Sequence, residues 1–94
     1  MAYVISHFFE GGTADQYNTT VNVVHPEGAL PAGQTYHAAG PTDGGWLIVA
    51  VWDSKKDYED FVTGTLTPAF QNTPGTLPGP PQERGAEVAN LVIR

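Results

Sequence analysis

The seven residues Trp46-Leu47-Ile48-Val49-Ala50-Val51-Trp52 constrain this chain more than any other feature. None of them prefers water, so no alternation marks a solvated face, and a strand of this kind is covered on both sides. Ala2 to Phe9 repeats the pattern. Its two faces, Tyr3/Ile5/His7/Phe9 and Ala2/Val4/Ser6/Phe8, are both mostly apolar, and Glu10-Gly11-Gly12 breaks it. Two such strands predict a sheet whose centre is buried front and back.

The segments between them have helix and turn chemistry. Thr13-Ala14-Asp15-Gln16 fits a capping box, and Tyr17, Val21 and Val24 follow at i, i+4 and i+7, which predicts a helix from 14 to about 25. Pro26-Glu27-Gly28 and Pro31-Ala32-Gly33 form a loop, and Gln34 to Ala39 reads as a strand hairpinned to Trp46–Trp52. If the hairpin loop spans 41–44, Gly40 faces Gly45 and His37 lies opposite Ile48, on the face that carries Trp46, Ala50 and Trp52. A slip of one residue would turn His37 to the other face.

Ser54 caps a second helix with Asp57 at its third position, and Tyr58, Phe61, Val62, Thr65 and Leu66 line one side of it. Pro68 predicts an end to the regular helix near Thr67, with Ala69-Phe70 as a further packed turn. Residues 71–85 read as a stiff, polar loop outside the core, and Ala86 to Ile93 as the last strand.

The order β-α-β-β-α-β predicts an α+β, ferredoxin-like domain over residues 1–94: a four-stranded antiparallel sheet with two helices on one face. The uncovered face is then expected to carry His7, His37, Trp46, Ile48 and Trp52. Two indoles in water make an apolar patch that a monomer rarely tolerates, so a second copy packed sheet to sheet is expected. The alternative is a monomer whose tryptophans pack under loop 71–85.

Charge narrows the partners. Four Lys+Arg against ten Asp+Glu give a net charge of −6, which disfavours nucleic acid and anionic membranes. No stretch approaches the ~20 apolar residues of a membrane span, and the first residues lack the basic start of a signal peptide, so a cytoplasmic protein is expected. With no cysteine there is neither disulfide nor thiolate chemistry.

Thr13-Ala14-Asp15-Gln16-Tyr17, Tyr36-His37-Ala38-Ala39-Gly40, Gly44-Gly45-Trp46, Val51-Trp52-Asp53-Ser54 and Leu66-Thr67-Pro68-Ala69 together resemble the dimeric α/β-barrel superfamily. Within it, the chain is similar to small uncharacterised barrel proteins and, more distantly, to antibiotic-biosynthesis monooxygenase-like proteins. The resemblance implies a homodimer with a pocket in each half, and chemistry ranging from cofactor-free oxygenation to none. In the monooxygenase and haem-degrading branches a histidine stands about nine residues after the tryptophan. Here that position is Phe61, so haem degradation is not expected.

His37 is the candidate catalytic residue: an imidazole near Trp46 and Trp52 can act as general base on an acidic phenol or enol. The bland alternative is a hydrogen-bonded histidine at the barrel rim. The expected ligand site is His7, His37, Trp46, Ile48 and Trp52, taking a small apolar or aromatic molecule such as a polycyclic phenol. His7 and His37 lack a third ligand at sensible spacing, so neither metal nor other cofactor is expected. His25, at a helix C-terminus, reads as structural. Tyr17 and Tyr58 are expected to bury their rings and hydrogen-bond through their hydroxyls. The competing function is a non-catalytic dimer whose aromatics only hold it together.

Overall fold

The computed structural model describes residues 1–94. Strand β1 (Tyr3–Glu10) leads to helix α1 (Ala14–Val24), then to the hairpin of β2 (Gln34–Thr42) and β3 (Gly45–Trp52). A helical arm follows: α2 (Lys55–Phe61), a π-helical turn (Val62–Leu66) and α3 (Thr67–Asn72). Strand β4 (Gln82–Glu87) completes the sheet. The sheet runs β2-β3-β1-β4 with every neighbouring pair antiparallel, which is the ferredoxin-like order. No helix is long and apolar enough to cross a membrane.

The first helix starts as its capping box dictates. Thr13 Oγ1 accepts the Gln16 N–H at 3.2 Å, and Gln16 Oε1 accepts the Thr13 N–H at 3.0 Å. Ser54 caps α2 by accepting the Asp57 N–H at 3.1 Å. The second helix does not stop at Thr67. Pro68 cannot donate a hydrogen bond, and its ring would strike the carbonyl four residues back. The chain answers with a wider turn, in which Thr67 N–H bonds the Val62 carbonyl, five residues back, and the helix resumes through Asn72.

The hairpin loop is shorter than expected. Only Asp43-Gly44 turns, with Gly44 at φ 83°, and His37 pairs with Ala50 rather than Ile48. The slip is two residues, an even number, so His37 keeps the face of Ile48, Ala50 and Trp52.

That face, however, is the covered one. Trp52 packs on Tyr58 and Phe61 with ring centroids 5.7 and 5.1 Å apart, and Trp46 packs on Tyr17 at 5.1 Å. Ile5, Phe9, Trp46, Ala50 and Trp52 are buried beneath the helices. The expectation that His7, His37, Trp46, Ile48 and Trp52 form the uncovered face is therefore corrected. Both faces of the central strands are apolar, so their pattern could not say which one the helices choose. The open face carries the alternate set, with Tyr36 44%, Leu47 38% and Val49 38% exposed.

The end of the chain also differs. β4 occupies Gln82–Glu87, four residues of the expected loop and only the first two of the expected strand, whereas Leu91, Val92 and Ile93 are exposed. Backbone pairing with β1 outweighs the poor strand propensity of Gln-Glu-Arg-Gly-Ala-Glu. Gly85 lets this edge close, because a Cβ there would collide with the Tyr3 hydroxyl and ring. Nor is the preceding loop outside the core. Leu77 is 3% exposed, clusters with Phe9 and Trp46, and donates its N–H to Thr20 Oγ1 at 3.0 Å.

Candidate functional site

A partly open cavity of about 210 Å³ lies between the sheet and the helices. Its floor is the covered face: Ile5 and His7 from β1, His37 from β2, and Ile48, Ala50 and Trp52 from β3. Tyr17 and Val24 of α1 wall one end, and Tyr58 and Phe61 of α2 the other. The π-helical turn and α3 contribute Val62, Leu66 and Phe70, so the detour forced by Pro68 shapes part of the wall. A wider groove of about 640 Å³ runs along the end of α1 and the loop through Leu30, but few of its side chains are chemically active.

Four of the five expected ligand residues line the cavity: His7, His37, Ile48 and Trp52. Trp46 does not. It is buried in the neighbouring cluster with Phe9 and Leu77. The volume falls below the ~300 Å³ at which pockets for drug-sized ligands begin, while ~150 Å³ suffices for benzene. One or two rings fit this space, the small end of the aromatic ligands expected from sequence.

The polar groups gather at two poles. At the first, Nδ1 of His37 lies 3.0 Å from Gln34 Oε1 and Nε2 lies 2.6 Å from the Tyr17 hydroxyl. The amide oxygen can only accept, so Nδ1 carries the proton and Nε2 accepts from Tyr17. Both ring nitrogens are thus engaged within the protein. Burial, with a smaller contribution from the nearby His25, holds the His37 pKa down to about 4. The His25 ring meets it edge-on at 4.9 Å. Burial also raises the Tyr17 pKa, so the pair stays neutral at pH 7.

At the second pole the β1–β4 register sets Glu83 directly opposite His7. Glu83 Oε2 lies 3.1 Å from His7 Nε2 and accepts the Tyr58 O–H at 2.9 Å, while Tyr58 Oη is 2.9 Å from the same Nε2. Burial, reinforced by Glu83, pushes the Tyr58 pKa far above its usual value, so this phenol keeps its proton. Burial lowers the His7 pKa, and the charge of Glu83 opposes that shift.

Between the poles the wall is mostly apolar. Trp52 is 1% exposed and its Nε1 has no hydrogen-bond partner. A buried N–H left unpaired costs about 1–3 kcal/mol, a cost this fold carries at its centre. Phe61, at the position where the haem-degrading branch carries histidine, packs on Trp52 and offers no ligand atom. Sequence reasoning missed Gln34 and Glu83 altogether, and placed His25 outside the site. Tyr17 and Tyr58 use their hydroxyls as expected, Tyr17 with His37 and Tyr58 with Glu83 and His7.

Neither a protein-family model nor a curated protein matches the chain. Solved structures do, two among them. A Chloroflexus aurantiacus protein, provisionally described as an antibiotic biosynthesis monooxygenase, is 12% identical with a TM-score of 0.64, over 100% of both chains. A variant of SnoaB, a cofactor-independent oxygenase from Streptomyces nogalater, is 10% identical with a TM-score of 0.64, over 99% of this chain and 97% of that one. At such identities the likeness is one of fold, and the chain has the ferredoxin-like fold of the antibiotic-biosynthesis-monooxygenase-like proteins.

Proposed function

We propose that the chain binds a one- or two-ring aromatic molecule with an acidic hydroxyl or enolisable carbon, and prepares it for reaction with dioxygen by removing a proton. The cavity carries this reading: it is mostly apolar, has room for such rings, and brings the imidazoles of His7 and His37 to its wall. The oxygenase activity of SnoaB, on the same fold, supports the reaction class. His37 orients Tyr17, whose oxygen is left free to accept from a ligand hydroxyl while its proton points at Nε2.

The functional unit is a homodimer. The exposed Tyr36, Leu47 and Val49 on the open sheet face support a second copy packed there. Each cavity is then complete within one chain.

Titration with 2-naphthol, followed by tryptophan fluorescence, tests the binding. Saturable quenching is expected, and Ala50→Phe should abolish it by filling the cavity floor. Quenching that survives this substitution would place the ligand elsewhere. An oxygen electrode with a dihydroxynaphthalene tests the reaction, where uptake no faster than autoxidation would favour the non-catalytic dimer.

A further inference from the structure

The three-way contact of His7, Tyr58 and Glu83 has a consequence for proton transfer. Tyr58 gives its proton to Glu83 Oε2, so its oxygen is an acceptor toward His7. Glu83, as a carboxylate, also only accepts. Nε2 of His7 must therefore be the protonated nitrogen, donating to both oxygens at 2.9 and 3.1 Å. The lone pair sits on Nδ1. That atom has no partner in the protein and is not sealed off, because the only sealed, unpartnered side-chain polar atoms are the two indole nitrogens. His7 lines the cavity, so the fixed tautomer leaves its free basic nitrogen on a ring that borders the cavity.

We infer that His7 is the general base of the cavity, with Glu83 and Tyr58 as its positioning residues. The inference rests on the proposed binding of an acidic or enolisable ring. In the step, Nδ1 takes a proton from a ligand C–H or O–H. The N–H bond forms as that bond breaks, and the electron pair stays on the ligand as enolate or phenolate. The new imidazolium is stabilised by the Glu83 carboxylate, as a carboxylate stabilises the histidine of a hydrolase triad. The titratable groups that face the ring are Tyr58 from α2 and Glu83 from β4, and β3 sets the uncharged Ile48 opposite it. His37 has no comparable opening, since both its nitrogens are occupied. Its low basicity points the same way, whereas Glu83 counteracts the loss of basicity at His7.

The test is exchange of the α-hydrogens of 2-tetralone in D2O, read by proton NMR, with binding measured separately by fluorescence. Acceleration by the protein is expected, falling at least ~100-fold in His7→Gln with binding within a few-fold of the parent. In Glu83→Gln the rate should drop about tenfold and the acidic limb of the pH profile should move to lower pH, because the charge that raises the His7 pKa is gone. A purely structural Glu83 would leave that limb in place. Undiminished exchange in His7→Gln, with 2-tetralone bound, overturns the assignment of the base and leaves the binding site standing. Absence of 2-tetralone binding to the parent overturns the binding reading and this inference with it. If His7→Gln fails to fold, the Glu83→Gln variant decides, since its side chain is 49% exposed and its substitution disturbs no core. An unmoved limb at unchanged rate would then overturn the inference.

Discussion

Nε2 of His37 lies 2.6 Å from the Tyr17 hydroxyl, tying the edge strand β2 to helix α1 across the cavity wall. Tyr17→Phe removes the donor and strands a partly buried acceptor, so unfolding stability should fall by about 1–3 kcal/mol. Urea denaturation of Tyr17→Phe, His37→Phe and the double variant measures the pair directly. A coupling of about 1 kcal/mol is expected, and a cycle that closes to zero would mean that the contact contributes nothing.

His37 also makes stability depend on pH. Its pKa is about 4 in the folded chain against 6.5 when free, so between those values the unfolded chain binds the extra proton. Stability from this group is fully present above pH 6.5, falls as the solution is acidified, and is lost by about pH 4. His25 and His7 shift in the same direction through burial. For His37 the loss should be on the order of 2 kcal/mol, after allowance for solvent screening at a half-buried ring. Melting temperatures across that range should decline less steeply in His37→Gln, and an equal decline would assign the acid sensitivity elsewhere.

Much of the fold was legible because local chemistry and tertiary packing agree. The capping box at Thr13, the Ser54 cap, the apolar runs of β1 and β3, and the glycine-rich turn all predict the observed elements. What could not be read has one physical origin. Period-two alternation says which residues share a face, but a strand apolar on both faces does not say which face meets the helices. His7, His37, Ile48 and Trp52 share one face, as the alternation predicts, but that face is the covered one. Glu83 was invisible for another reason: β4 is polar and held by backbone pairing, so no side-chain pattern announces it.

Gly85 provides a local test of that edge. Its Cβ position is filled by the Tyr3 hydroxyl and ring, so Gly85→Ala must displace Tyr3 or part β4 from β1. Overpacking of this kind costs about 1–3 kcal/mol. Amide exchange should accelerate across Gln82–Glu87, and Tyr3→Phe should restore part of the loss by removing the nearest atom. Because Glu83 rides on this strand, Gly85→Ala should also loosen the grip on His7. Unaltered exchange in β4 would show that Tyr3 yields at no cost.

The open sheet face yields the last prediction. Val49 is 38% exposed, on the opposite face of β3 from Ile48 and Ala50, and its cross-strand neighbours are Ser6 and Ala38. A second copy seated here would bury Val49 with Leu47 and Tyr36. A charged side chain in that position would have to be desolvated without a partner, at a cost of several kcal/mol. The parent should sediment at twice the 10.0 kDa chain mass, and Val49→Lys at the chain mass. Val49 faces away from the cavity, so 2-naphthol should bind the monomeric variant as it binds the parent. Binding lost together with dimerisation would mean that the partner completes the cavity, and a parent that sediments as single chains would leave this face free for something other than itself.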